Sequence, residues 1–100
     1  MMNLTKDNFD EVISSGKVFV DFAAAWCGYC RIMEPIVEEL ADKYDDAVKI
    51  AKVDVDEEAT LAAHYDITTY PTFIMFENGV ETDRKTGAQP VEELESMLGQ

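Results

Sequence analysis

The sequence predicts an α/β domain built on a mixed β-sheet. Three observations carry that prediction. The early part of the chain runs strand-like, helix-like, strand-like, an order that favours parallel pairing. Two later β-like runs, Thr72–Glu77 and Val80–Thr86, flank Asn78-Gly79, the strongest short hairpin cue, which adds an antiparallel edge. The chain has 100 residues, of which 47% are apolar, enough for one packed core without disulfide staples. Residues 1–100 are therefore expected to form a single domain. There are no repeats, low-complexity tracts or internal linkers.

The elements follow in order, with room for a short strand at the N-terminus. Over Asp7–Ser14, Phe9, Val12 and Ile13 fall on one helical face, with Thr5 or Asp7 as N-cap. Lys17–Phe22 is rich in β-branched and aromatic residues and reads as a strand. From Cys27 to Tyr44, Ile32, Met33, Ile36, Val37, Leu40 and Tyr44 keep helical spacing, and Pro35 inside this run is expected to kink the helix. Ala47–Val55 reads as a second strand, and Asp56-Glu57-Glu58 opens a helix to Tyr65, with acids suited to its N-terminus. After the hairpin, Pro90 fits the first position of a last helix carrying Val91, Leu94 and Leu98. Met33, Met75 and Met97 are expected to fill core gaps.

Trp26-Cys27-Gly28-Tyr29-Cys30 holds the only two cysteines, between an apolar run and a helical pattern. With Cys27 at the first helical position, the two Cα atoms lie about 5 Å apart. That falls inside the window for a disulfide, roughly 4.4–6.8 Å, so the pair can open and close with little backbone movement. Cys27 is then expected to face solvent and the free N–H groups of the first turn, which favour a thiolate. Tyr29, unlike a proline, adds its own N–H there. Three readings compete: a reversible dithiol/disulfide centre, a structural staple, and half of a zinc site. A loop this short removes only about 2 kcal/mol of chain entropy, which makes a poor staple. Zinc needs two further ligands, and the chain offers no other cysteine and only His64. His64, late in a helix-like run, reads as a surface residue. The spacing itself points to redox chemistry.

Asp21 shares a strand face with Phe19, while Val18, Val20 and Phe22 line the other. On a central strand covered on both faces it would be buried and hold a proton near neutrality, as a proton acceptor for Cys30 does. On an edge strand it would be an ordinary exposed carboxylate. Lys52, on the next strand, either pairs with Asp21 or is a surface lysine.

The net charge of −13 argues against nucleic acid and anionic membrane as partners. It serves solubility, or steers the protein towards a basic docking surface, and it opposes thiolate formation at Cys27. No apolar run approaches the ~20 residues that span a bilayer. The N-terminus carries no basic segment followed by an apolar stretch, so a cytoplasmic location is expected, although a mature exported protein would also lack its leader.

Val-Asp-Phe, Trp-Cys-Gly-x-Cys, a proline five residues after the second cysteine, Tyr-Pro-Thr and Asn-Gly, in this element order, resemble the thioredoxin family over essentially the whole chain. The resemblance implies a thioredoxin fold, a central mixed β-sheet flanked by helices on both faces. It implies a protein-disulfide reductase recharged by a thioredoxin reductase, with no cofactor and a monomeric state. Residue by residue, Cys27 looks like the attacking nucleophile and Cys30 like the resolving thiol. Asp21 looks like the buried aspartate and Lys52 like its neighbouring lysine. Pro71 looks like the cis-proline that turns the Tyr70 backbone towards the cysteines, and Gly87 like the glycine that lets a substrate chain approach. Trp26, Gly28, Tyr29 and Tyr70 complete the implied substrate groove. Three positions depart from the commonest pattern: Tyr29 replaces a proline, Ala23 stands where tryptophan is frequent, and Tyr70 where an aliphatic residue is frequent. Cys-Gly-Tyr-Cys is also similar to the active site of bacterial disulfide isomerases. A more oxidising enzyme, an isomerase, or a non-catalytic binding module on the same fold are the competing functions.

Overall fold

The structure is a computed structural model and describes residues 1–99. Its elements are β1 (Met2–Asn3), α1 (Phe9–Ile13), β2 (Lys17–Ala23), α2 (Gly28–Tyr44), β3 (Lys49–Asp54), α3 (Ala59–His64), β4 (Thr72–Glu77), β5 (Val80–Thr86) and α4 (Val91–Met97). The strands form one five-stranded sheet in the order β1-β3-β2-β4-β5. β1, β3 and β2 are parallel, and β4 and β5 are antiparallel to their neighbours. The expected α/β architecture and mixed sheet are present.

Alternation along β2 sorts the core into two layers. Val18, Val20 and Phe22 pack with Phe9 and Ile13 of α1, Ala62 of α3, and Ile74 and Phe76 of β4. Phe19 points the other way, onto Met33, Val37 and Leu40 of α2 and Leu94 of α4, and stacks on Phe73 at 5.6 Å. Helices therefore cover both faces. Met33, Met75 and Met97 all lie in the second layer.

The element ends differ from the sequence reading where side chains capture backbone groups. α1 starts at Phe9 with Asn8 as its N-cap, not Thr5 or Asp7. One turn earlier the Thr5 N–H donates to Asn8 Oδ1 at 2.7 Å and the Asp7 N–H to Thr5 Oγ1, forming a turn ahead of the helix. Similarly, Asp54 Oδ1 accepts the N–H groups of Asp56 and Glu57, so the acidic run forms a turn and α3 begins only at Ala59. Pro90 is the N-cap of α4 rather than its first helical residue. α2 continues through Pro35. The hairpin matches its expected bounds, with Asn78 (φ 51°) and Gly79 (φ 86°) both left-handed.

Neither sheet edge invites pairing. β1 has two residues. β5 is largely exposed and charged, and the Glu81 carboxylate takes a bidentate pair of 2.8 Å bonds from Arg84. Phe19→Ala should lower unfolding stability by about 3–5 kcal/mol in urea titrations, because the site is fully buried between α2, α4 and the sheet.

Candidate active site

β2 delivers the chain from the middle of the sheet into Ala24-Ala25-Trp26, and α2 starts immediately beyond. Cys27 is the N-cap of α2, one position earlier than expected, with extended backbone (φ −83°, ψ 120°). Its Sγ takes the place that a serine or aspartate oxygen usually fills and accepts the Cys30 N–H at 3.2 Å. The donor in the first turn is thus Cys30, not Tyr29. The Cys27 thiol in turn reaches the Tyr70 carbonyl over 3.6 Å. Both thiols are free.

Cys27 was expected to face solvent, yet it is only 7% exposed against 5% for Cys30, because Tyr70 and the Ala24 segment close over it. Chemistry distinguishes the two more than exposure does. Burial, and then the hydrogen bond with Cys27, push the Cys30 thiol up to about 12.

Asp21 is buried, directly across from Lys52 on β3 and Phe73 on β4, so the central-strand reading holds. Its Oδ1 is the one buried side-chain polar atom without a hydrogen-bond partner among the described residues. Burial raises its carboxyl to about 7, with the Lys52 charge opposing and the Glu34 charge adding. Of the two readings of Lys52, the ion pair with Asp21 is not formed. The Lys52 Nζ lies 3.8 Å from Glu34 Oε1 on α2. A cavity of about 390 Å³ is lined by Asp21, Cys30, Glu34 and Lys52, together with Glu57 and Glu58.

The outer rim is apolar. Trp26, Tyr29 and Ile32 are 63%, 64% and 62% exposed. Trp26 stands edge-on to Tyr70 at 5.6 Å and donates its indole N–H to Asp56 at 2.8 Å. The Tyr70–Pro71 peptide is cis. Gly87, at φ 79°, donates its N–H to the Pro71 carbonyl at 2.7 Å. A side chain at Gly28 would meet open space. His64 is exposed on α3 against Tyr65 and does not line the cavity.

Three residues were missed as parts of the site. Ile32 entered the sequence reading only as part of the apolar period of α2, yet it is exposed at the rim. Glu34 lies four residues after Cys30, one helical turn away, a spacing that marks it as a same-face neighbour. Asp56 carried no local cue, since its bond to Trp26 depends on the β3–α3 turn.

A dithiol of two free cysteines three residues apart at a helix N-terminus, backed by a buried carboxyl, defines a thiol–disulfide oxidoreductase. The family model described as thioredoxin matches residues 1–100. The chain is 44% identical to a thioredoxin of Staphylococcus haemolyticus, over 98% of this chain and 94% of that protein. It is 41% identical to one of Staphylococcus aureus over the same shares. The solved Plasmodium falciparum thioredoxin superposes with a TM-score of 0.92 at 35% identity, covering 99% of this chain and 97% of that one. That of Malassezia sympodialis gives 0.88 at 33%, covering 99% and 89%. The chain belongs to the thioredoxin family, and its activity is the reduction of protein disulfides.

Asp21 makes a pH prediction. The unfolded carboxyl loses its proton near 3.8 and the folded one only near 7, so between these values the folded state binds more protons and stability falls as pH rises. Asp21→Asn abolishes that loss. Its stability advantage over wild type should grow by about 3 kcal/mol between pH 5 and pH 8, at roughly 1.4 kcal/mol per pKa unit, in denaturant titrations.

Proposed function

We propose that Cys27 attacks the target disulfide and Cys30 resolves the intermediate. The asymmetry of the pair carries this reading: Cys27 meets the Tyr70 carbonyl and the aromatic rim, whereas Cys30 sits inward on the cavity with a thiol held protonated. The Cys27 thiolate attacks one target sulfur, forming a mixed disulfide and releasing the other as a thiolate. Asp21 then takes the Cys30 proton. The Cys30 thiolate attacks Cys27 Sγ, closing the Cys27–Cys30 disulfide and expelling the second target sulfur. Two electrons pass to the target, and a thioredoxin reductase restores the dithiol.

An extended target segment lies along the Tyr70 backbone and pairs with it as a strand would. Trp26, Tyr29 and Ile32 supply apolar contact, and the lack of side chains at Gly28 and Gly87 leaves room for the target chain. The net charge of −13 draws basic surfaces on targets and reductase at long range. Both faces of one sheet are covered by this chain's own helices, which supports a single-domain monomer. A dithiol that must be reduced in each cycle suits the cytoplasm. No helix among the described residues is long and apolar enough to cross a membrane.

The test is capture. Cys30→Ser incubated with a disulfide-bonded protein should accumulate a mixed disulfide through Cys27, seen by mass spectrometry, while Cys27→Ser should capture none. Capture by Cys27→Ser instead would reverse the assignment.

Tyr29 bears on redox poise. Proline in the first turn restricts the backbone in both redox states and favours the closed geometry. Tyr29→Pro should therefore make the disulfide harder to reduce, lowering the potential by about 20–60 mV, where ~30 mV is a factor of ten. Equilibration in glutathione buffers reads this directly.

A further inference from the structure

Glu34 is half exposed on α2, and the packing of that helix does not require it. Yet it faces the same cavity as Asp21 and Cys30, and it holds the Lys52 ammonium at 3.8 Å. Lys52 is the register partner of Asp21 across β2 and β3, and its flexible stem allows the ammonium to reach either carboxylate. It sits with the solvated one. Reaching Asp21 would require desolvating the ammonium as well as the carboxylate, and Glu34 offers an opposite charge without that cost. The Asp21 Oδ1 is left with no partner.

We propose that Glu34 is a positioning residue for the proton step: by holding Lys52 across the cavity, it keeps the ammonium off Asp21 and leaves that carboxyl free to take the Cys30 proton. The inference rests on the role given to Asp21 above. A lysine locked onto Asp21 would stabilise the ionised form and weaken it as a base. The charged groups around the cavity are Lys52 and Asp54 on β3, Arg31 and Glu34 on α2, and Glu57 and Glu58 on the following turn. Of these, the Lys52 charge lowers the Asp21 proton affinity and the Glu34 charge raises it.

The experiment uses the reduced full-length protein and Ellman's reagent in stopped flow from pH 5.5 to 9. Two thiolates are released. The first reports attack by Cys27, and the second reports attack of Cys30 on the mixed disulfide. Wild type should show a second-phase pH limb that Asp21→Asn removes. Glu34→Gln should move that limb to lower pH by about 0.5–1 unit, the size of one charge interaction through a partly solvated cavity, with its thermal midpoint kept. Lys52→Met should move it up, and in that background the Glu34→Gln shift should shrink to the part owed to Glu34's own charge. An unmoved or raised limb in Glu34→Gln overturns the inference. So does an undiminished shift without Lys52, which would mean Glu34 acts by its own charge alone. If Asp21→Asn keeps the limb, the role of Asp21 falls and this inference falls with it. If Asp21→Asn removes the limb and Glu34→Gln leaves it in place, only the inference falls.

Discussion

Asp21 is buried because β2 has a hydrogen-bonded strand on each side and helices over both faces. That placement dries the carboxyl and raises its proton affinity to the neighbourhood of physiological pH. It also makes β2 the strand whose C-terminal end emerges in the middle of the sheet, where the first turn of α2 can sit over it. The two core layers, divided by the alternation of Val18, Phe19, Val20 and Phe22, hold this arrangement rigid. An edge position for β2 would wet Asp21 and loosen the helix terminus at once.

The site works against the charge of its own surroundings. In a chain of net charge −13, further anions are costly, and the cavity wall already carries Glu34, Asp54, Glu57 and Glu58. Separating the two thiols by environment limits the difficulty. Cys27 is held by backbone groups, the Cys30 N–H and the Tyr70 carbonyl, while burial keeps the Cys30 thiol protonated. The two thiols thereby sit in different environments on either side of one helical turn.

Much of this was legible in the chain. Period-two alternation marked both faces of β2, and Asn78-Gly79 fixed the hairpin to the residue, because left-handed backbone at both positions admits few sequences. The Cys27/Cys30 spacing announced the dithiol. Less legible were features set by side chains that act at a distance. Thr5, Asn8 and Asp54 delayed helix starts by capturing N–H groups, which propensity alone does not register. Ile32 carries the helical period yet stands outside the core, although its neighbours Cys30 and Met33 on the same turn are buried. The Lys52 partner depended on where the α2 face containing Glu34 came to rest, and β-strand register gave only its distance from Asp21.

The sheet edges have a consequence for clients. A partly unfolded protein offers many extended segments, each able to add to an exposed strand. Here one edge ends in a two-residue strand and the other is lined by charged side chains, so neither offers a long unpaired ladder. The Tyr70 backbone, just ahead of β4, lies apart from both edges and beside Cys27. An unfolded segment thus finds no ladder along either flank on which to extend the sheet.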